Sequence, residues 1–126
     1  MHQLNLFDSD GNPLLPPRFA AFVQFHRANP RIYGLFIRFA LEGAVSGRKR
    51  FGARMVGERI RWYCNVETRS KDEFKVNDHH WPYYARMAML DEPSLEGIFE
   101  RRDAHFDASD EMLLQLVNGV NKCPHL

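Results

Sequence analysis

Apolar side chains recur at helical spacing near the start of the chain, in a segment that begins directly after two prolines. Phe19, Phe22 and Val23 follow one another at intervals of three residues and one residue, which places them on one face of a helix. Proline fits the first turn of a helix, because its missing amide donor would have no partner there in any case. The pattern predicts a first helix that starts at Pro16-Pro17.

A second helix is predicted after Asn29 and Pro30, which repeat the start signal with asparagine as the cap and proline at the first helical position. Its apolar stripe consists of Ile32, Leu35, Phe36, Phe39 and Ala40. Gly47 is the predicted end of this helix. Because only a tight corner separates the two helices, we expect their phenylalanines to face each other in the core.

A third, amphipathic helix is predicted from about Ala53 to Asn65. Its apolar positions are Met55, Val56, Ile60, Tyr63 and Cys64, and its polar side carries Arg54, Glu58 and Arg61. The stripe ends in residues 66–76, where a polar tip separates Val66 from the alternating Phe74-Lys75-Val76. This pattern permits two short strands of a β-hairpin.

A fourth helix is predicted over residues 79–90, with Asn77 or Asp78 as its cap. Pro82 falls in the first turns of this helix, where proline is tolerated. The helix is expected to end at Glu92-Pro93-Ser94.

Two further helices are predicted in the last third of the chain. Ser94 is a cap for a short fifth helix that runs from Leu95 to about Arg102. The run Ser109-Asp110-Glu111 signals the start of a last helix, and Gly119 signals its end.

These elements predict a mainly α fold, a compact domain of five to six helices with room for one short β-hairpin. The length of 126 residues suits one domain. Residues 1–15 contain a dense turn signal and are expected to form an irregular N-terminal arm. Residues 16–121 form the helical domain and residues 122–126 a C-terminal tail. With the hairpin, the order of elements becomes winged or helix-turn-helix-like.

Composition indicates a folded protein of the cytoplasm. The chain is 44% hydrophobic and 26% charged, and it has no apolar run long enough for a membrane span or a signal peptide. We therefore expect no membrane partner. Cys64 and Cys123 are expected to be free thiols, which is the usual state of cysteine in that compartment.

The formal net charge of +1 conceals a strong segregation of charge along the chain. Residues 18–61 hold ten basic side chains against two acidic ones, a balance of +8, whereas residues 62–126 hold seven basic and twelve acidic ones, a balance of −5. Most of the basic residues are arginines, whose planar donor groups suit phosphate and carboxylate. A polyanion or an acidic protein surface is the partner that this pattern indicates, unless the acidic half neutralises the arginines across the fold.

No catalytic motif is recognisable, and we expect neither an enzyme nor a cofactor. The adjacent pair His79-His80 has the wrong spacing for two ligands of one metal, because neighbouring side chains point about 100° apart on a helix. Cys64 falls on the apolar side of its helix, where cysteine is usually an inert core residue. No glycine-rich nucleotide signature is present, and no haem or flavin signature either.

The leading hypothesis is non-catalytic binding of duplex DNA. A basic helix, a polar excursion and a capped helix follow one another, although the connection is longer than in a strict helix-turn-helix. Helix N-termini and arginines can contact phosphates, and Asn or His at a first turn can contact base edges. The candidate binding residues are Arg48, Lys49, Arg50, Arg54, Arg61, Arg69, Lys71, Lys75, Asn77, His79 and His80.

Three other interpretations stay open at this stage. The protein can be a small inhibitor or adaptor that docks on a host or phage protein through Trp and Tyr anchors flanked by arginine. It can also be a metal-dependent nuclease that uses His79 or His80. In the third, the aromatic residues only fill a helical core; these are Trp62, Tyr63, Trp81, Tyr83 and Tyr84. The pattern leaves the oligomeric state open.

Four motifs between residues 19 and 102 carry a resemblance to known sequences. In order, they are Phe25-His26-x-Ala28-Asn29-Pro30-x-x-Tyr33, Arg59-Ile60-Arg61-Trp62, Asn77 with Tyr83-Tyr84-Ala85-Arg86, and Leu95-x-Gly97-x-Phe99-Glu100-x-Arg102. With them the chain resembles small uncharacterised proteins that bacterial genomes, prophages and phages encode. It departs from that pattern at Asp78-His79-His80, where a run richer in asparagine is usual. The resemblance implies a phage-like accessory protein and transfers no activity.

Overall fold

Five α-helices make up the fold over the part of the chain that the computed structural model describes, which is residues 9–10, 14–68, 76–100 and 106–119. The helices are α1 (Pro17–Ala28), α2 (Pro30–Val45), α3 (Ala53–Trp62), α4 (Trp81–Asp91) and α5 (Asp110–Gly119). No strand occurs within these ranges. The predicted mainly α fold is therefore confirmed.

Helix α4 is the centre of the core, since it contacts α2, α3 and α5 and carries rings that reach α1. Its Tyr84 ring is fully buried and meets Phe22 of α1 edge-on at 4.8 Å between ring centroids. The same ring stacks with Phe36 of α2 at 5.8 Å. The phenylalanines of α1 and α2 thus come together on α4, and aromatic pairs join the three helices.

The corner between α1 and α2 is built differently from the prediction. The side chain of Asn29 makes no cap hydrogen bond to α2; its Nδ2 donates instead to the carbonyl of Phe25 at 3.0 Å. The backbone amide of Asn29 donates to the same carbonyl at 2.9 Å. Asparagine therefore satisfies the end of α1, where carbonyls lack helical partners, and Pro30 begins α2 with one amide donor fewer to satisfy.

Helix α3 packs on α4 through a glycine. Gly57 is buried, and a Cβ atom placed on it would lie 2.6 Å from Nε1 of Trp81. Trp81 is the first residue of α4 and is only 1% exposed. The backbone of α3 therefore lies directly against the indole ring, at a distance that no larger residue permits.

The end of α3 differs from the predicted helix-then-strand pattern. The α-helix ends at Trp62 and continues as one π-helical turn over Tyr63–Glu67. Val66 lies inside this turn, so the predicted strand at Val66 is wrong. Thr68 closes the turn, with its amide donating to the carbonyl of Tyr63 at 3.0 Å and its hydroxyl donating to the carbonyl of Cys64 at 2.5 Å. Residues 69–75, the tip of the predicted hairpin, lie outside the described residues.

The predicted fifth helix from Leu95 to Arg102 is also wrong. A 3₁₀ turn over Pro93–Leu95 is followed by Gly97 with a φ of +78°, a conformation that ends helical winding. Leu95 and Phe99 are nevertheless buried, as the apolar pattern indicates. This segment therefore belongs to the core as a turn, not as a helix.

The first buried residue that the structure describes is Leu15, so the packed part of the chain reaches into the predicted N-terminal arm. Most of residues 1–15 and all of the predicted tail at 122–126 lie outside the described residues. Within the described ranges, no helix is long and apolar enough to cross a membrane.

Helix α5 begins where the sequence predicts it, at a serine cap. The Oγ of Ser109 accepts a hydrogen bond from the amide of Met112 at 3.2 Å. Replacing Ser109 with alanine removes this acceptor, and we expect the free energy of unfolding to fall by about 1 kcal/mol. Urea denaturation of wild type and Ser109→Ala measures the change, with Ser109→Asp as the control because aspartate also caps. Equal stability of the alanine and wild-type proteins would contradict the cap.

Candidate nucleic-acid interface

The connection between α2 and α3, residues 46–52, is a basic loop that is fixed at its base. Helix α2 ends at Val45, and Gly47 has a φ of +93°, the left-handed conformation that commonly terminates a helix. Phe51 anchors the other side: it is buried, its amide donates to the carbonyl of Ile98 at 3.3 Å, and its ring meets Phe99 edge-on. Between these two points the loop projects three cationic side chains into solvent.

Those three cations, Arg48, Lys49 and Arg50, are exposed and form no ion pair with any residue that the structure describes. The Nε of Arg48 donates to the backbone carbonyl of Arg50 at 3.3 Å, which holds the loop in a local turn. Like charges this close repel one another, and an anion bound between them would relieve that repulsion.

The arginines of α3 are in a different electrostatic situation. Nη2 of Arg54 lies 3.7 Å from Oδ2 of Asp78, and Nη1 of Arg61 lies 3.3 Å from Oε1 of Glu58. Both pairs are largely exposed, so each stabilises the fold by no more than about 1 kcal/mol and can exchange its acidic partner. The acidic half of the chain therefore neutralises part of the basic segment, in this case through Asp78.

The start of α4 lies next to this region. Asn77 caps a 3₁₀ turn over Asp78–His80, with its Oδ1 accepting a hydrogen bond from the amide of His79 at 2.9 Å. The predicted cap at Asn77 therefore belongs to this 3₁₀ turn, which leads directly into α4, and α4 itself begins at Trp81 without a side-chain cap. Asn77 and His79 are exposed, and the ion pair between Arg54 and Asp78 joins this turn to the start of α3.

His80 does not belong to the exposed surface. It is 7% exposed, and its ring packs against Phe25 and Phe22 at 5.0 and 5.7 Å between centroids. Burial lowers the pKa of this imidazole, and the neighbouring His79 lowers it further. The expectation that His80 contacts nucleic acid is therefore wrong for the described conformation, because its side chain faces the core.

A cleft of about 500 Å³ connects the basic loop with α4. Arg50 and the first residues of α3 line one side, Pro82 and Arg86 of α4 line another, and Phe106 contributes an aromatic wall. Arg50 and the start of α4 therefore border the same cleft. Together with the Arg54–Asp78 ion pair, this places the basic loop, the start of α3 and the start of α4 in one region.

Not every predicted binding residue reaches this region. Arg61 lies two helical turns beyond Arg54, about 10 Å further along α3. Arg69, Lys71 and Lys75 lie outside the described residues. The structure thus groups Arg50, Arg54 and the capped 3₁₀ turn before α4, with Arg48 and Lys49 on the same loop, and it separates the side chain of His80 from them.

Sequence reasoning missed Arg86, a buried charged residue at the back of the cleft. It is 6% exposed, and its guanidinium carbon lies 3.6 Å from the centroid of the Phe106 ring. The available signal is the composition of α4, in which nine of the other ten residues are apolar or aromatic, so that a charged residue there has few ways to reach solvent. Arginine on an aromatic face is a stable arrangement for such a residue.

Among the described residues, no group of three His, Cys, Asp or Glu side chains comes close enough to hold a metal ion. Cys64 is 1% exposed, and burial raises the pKa of its thiol although Arg31 lowers it in part. The raised pKa disfavours the thiolate that nucleophilic attack requires.

No family model, no curated protein and no solved structure matches the chain.

Proposed function

We propose that this protein binds duplex DNA without catalysis, and that the basic loop is the centre of the interface. The observation that carries the proposal is the run of three exposed cations, Arg48, Lys49 and Arg50, with no acidic partner among the described residues. Because the buried Phe51 anchors one end of the loop, binding a phosphate backbone costs less ordering than it would for an unanchored segment.

Neighbouring groups support contacts beyond this loop. The exposed pair of Arg54 and Asp78 can exchange the carboxylate for a phosphate, because a surface ion pair of this kind is weak. Asn77 and His79 are exposed beside it and carry donors and acceptors that suit base edges in a groove. The resemblance to phage and prophage proteins supports a role as an accessory protein of that type.

Salt dependence tests the proposal. Three phosphate contacts predict that the logarithm of affinity falls with the logarithm of salt concentration with a slope of about −2.7, or roughly 40-fold between 50 and 200 mM. We expect the triple variant of Arg48, Lys49 and Arg50 to alanine to bind at least about tenfold more weakly and to lose most of this slope. Fluorescence anisotropy with a labelled duplex measures both quantities.

A matched control separates these contacts from general charge. Lys49→Ala is expected to reduce the slope by about 1, whereas Arg18→Ala removes an exposed charge from α1 and should leave the slope unchanged. Binding that is insensitive to salt contradicts the proposal, and so does an equal loss of affinity in both single variants.

A further inference from the structure

The outer face of α3 carries an apolar stripe that no described residue covers. It consists of Met55, Trp62 and Val66, which are 51%, 60% and 49% exposed. The three residues follow one another at intervals of seven and four, so they form one line along α3 and its π-helical turn. Single exposed apolar residues need no explanation, but an exposed tryptophan in line with two other exposed apolar side chains indicates a surface that binds something.

The charges beside this stripe favour a protein over a polyanion. Arg59 pairs with Glu67, and Arg61 pairs with Glu58, so both described arginines beside Trp62 have an acidic partner. The stripe therefore has an apolar centre and a charge-balanced polar rim, which is the usual arrangement of a protein interface. It differs in this respect from the basic loop.

We propose that a second copy of this chain covers the stripe, with the two α3 helices antiparallel about a twofold axis. The spacing of the residues makes the stripe complementary to itself. When positions whose numbers add to 121 face each other, Met55 meets Val66 of the second copy, and Arg59 meets Trp62 of the second copy. Both contacts occur twice in the dimer, as a twofold interface requires.

Arg59 is already placed for its contact. Its guanidinium carbon lies 4.3 Å from the centroid of the Phe39 ring, which is buried beneath it, and its side chain is 39% exposed. A planar guanidinium has two faces, and Phe39 occupies the inner one. The outer face is where Trp62 of the second copy stacks, in a cation–π contact.

The size of the surface predicts a weak dimer. Helix α3 and its π-helical turn together run from Ala53 to Glu67, a length of about 22 Å. Two helices of that length bury less area than a standard protein–protein interface, so we expect a dissociation constant in the micromolar range or weaker. The dimer therefore forms and dissociates with protein concentration.

Sedimentation velocity of the full chain at concentrations from roughly 5 to 500 µM, spanning this range of dissociation constants, tests self-association. We expect a shift from monomer to dimer in the wild type and a monomer throughout for Trp62→Lys, whose side chain is exposed enough to leave the fold intact. Leu114→Lys is the control, because Leu114 is a partly exposed apolar residue on α5 and should leave dimerisation unchanged. Circular dichroism verifies that each variant is folded.

Cysteine cross-linking tests the register. In the proposed arrangement positions 55 and 66 of different copies are neighbours, so the double variant Met55→Cys, Val66→Cys should form a disulfide-linked dimer under mild oxidation. Each single variant places its new cysteines about 16 Å apart along the helix axes and should form no such dimer, which also controls for the native cysteines.

A monomer at every concentration overturns the proposal, and so does a dimer that Trp62→Lys leaves intact. Binding of a different macromolecule through Trp62 by a chain that stays monomeric assigns the stripe to another partner and also overturns it. None of these results bears on the DNA proposal, because the basic loop is a separate surface.

Discussion

Replacing Gly57 with alanine is expected to lower the free energy of unfolding by about 3 kcal/mol, the upper part of the range for an overpacked core. The new Cβ would lie within 2.6 Å of Nε1 of Trp81. Neither partner can move easily, since Gly57 belongs to the backbone of α3 and Trp81 is only 1% exposed. Helix α3 must therefore shift away from α4. Urea denaturation monitored by circular dichroism measures the loss.

A second glycine provides the matched control. Gly34 lies in α2, and nothing comes within 4 Å of a Cβ placed on it. The same substitution there should leave the protein as stable or stabilise it by up to about 1 kcal/mol, because alanine favours helix over the unfolded chain. Equal effects at Gly57 and Gly34 would show that helix propensity, and not the contact with Trp81, decides the result.

A double-mutant cycle identifies the contact itself. Trp81→Leu alone removes a large buried ring and is expected to cost about 3 kcal/mol or more. In the double variant with Gly57→Ala, the methyl group enters space that the ring has vacated. The loss of unfolding free energy in the double variant should therefore be smaller than the sum of the two single losses by more than about 1 kcal/mol. Additive losses would mean that the two residues do not interact.

Acid is expected to destabilise the protein through His26, by about 3 kcal/mol between pH 7 and pH 4. His26 is 0% exposed, and neither ring nitrogen has a hydrogen-bond partner among the described residues. Its imidazole is surrounded by the rings of Phe22, Tyr33 and Tyr84. Burial, with a smaller contribution from the charge of the neighbouring Arg27, lowers its pKa to about 4.

The sign of this effect follows from the direction of the shift. The pKa of His26 falls from 6.5 in the unfolded chain to about 4 in the folded protein, so the unfolded state binds the proton first as pH falls. The stability that depends on a neutral His26 is fully present above about pH 6.5 and is lost as the pH falls towards 4. His80, whose pKa burial also lowers, changes stability in the same direction.

Substitution separates the contribution of His26 from the others. His26→Phe keeps an aromatic ring in the same space and cannot be protonated. Between pH 6.5 and pH 4, the free energy of unfolding of this variant should therefore fall by about 3 kcal/mol less than that of wild type. Urea denaturation at several pH values measures each profile. A His26→Phe profile as steep as that of wild type would assign the acid sensitivity to other groups.

The sequence predicts the helices well where their signals are local. Proline at the first position and an apolar stripe identify α1 and α2, and a serine cap identifies α5, because each signal lies within one helical turn of the boundary that it marks. The helix predicted from Leu95 is wrong because the feature that decides its conformation is not a local one. Its apolar spacing is helical, but Gly97 adopts a left-handed conformation that the surrounding core selects and that the spacing does not reveal.

Side-chain direction at neighbouring positions is harder to predict than secondary structure. His79 and His80 are adjacent and chemically identical, yet one is exposed and the other packs on Phe25. Trp62 and Trp81 differ in the same way, at 60% and 1% exposure. Each outcome depends on which neighbour the helix meets in the folded protein, and no local pattern encodes that choice.

The candidate interface, too, can be predicted from the sequence only in part. The run of Arg48, Lys49 and Arg50 is visible in the sequence because the three residues are consecutive. The pairing of Arg54 with Asp78 joins residues that are distant in sequence, and it arises only because α3 packs on the start of α4. Sequence therefore predicts where cations are concentrated, and the fold decides which of them are neutralised.

The π-helical turn at Tyr63–Glu67 has the geometry of an α-helix that has acquired one additional residue. A chain one residue shorter between Tyr63 and Thr68 would continue α3 without interruption, and everything beyond that point would leave the helix rotated by about 100°. In an alignment, a gap of one position here would therefore signify a new direction for the following segment. Such a gap would separate related chains with different surfaces beyond α3, even where the packing of α1, α2 and α4 around Tyr84 had not changed.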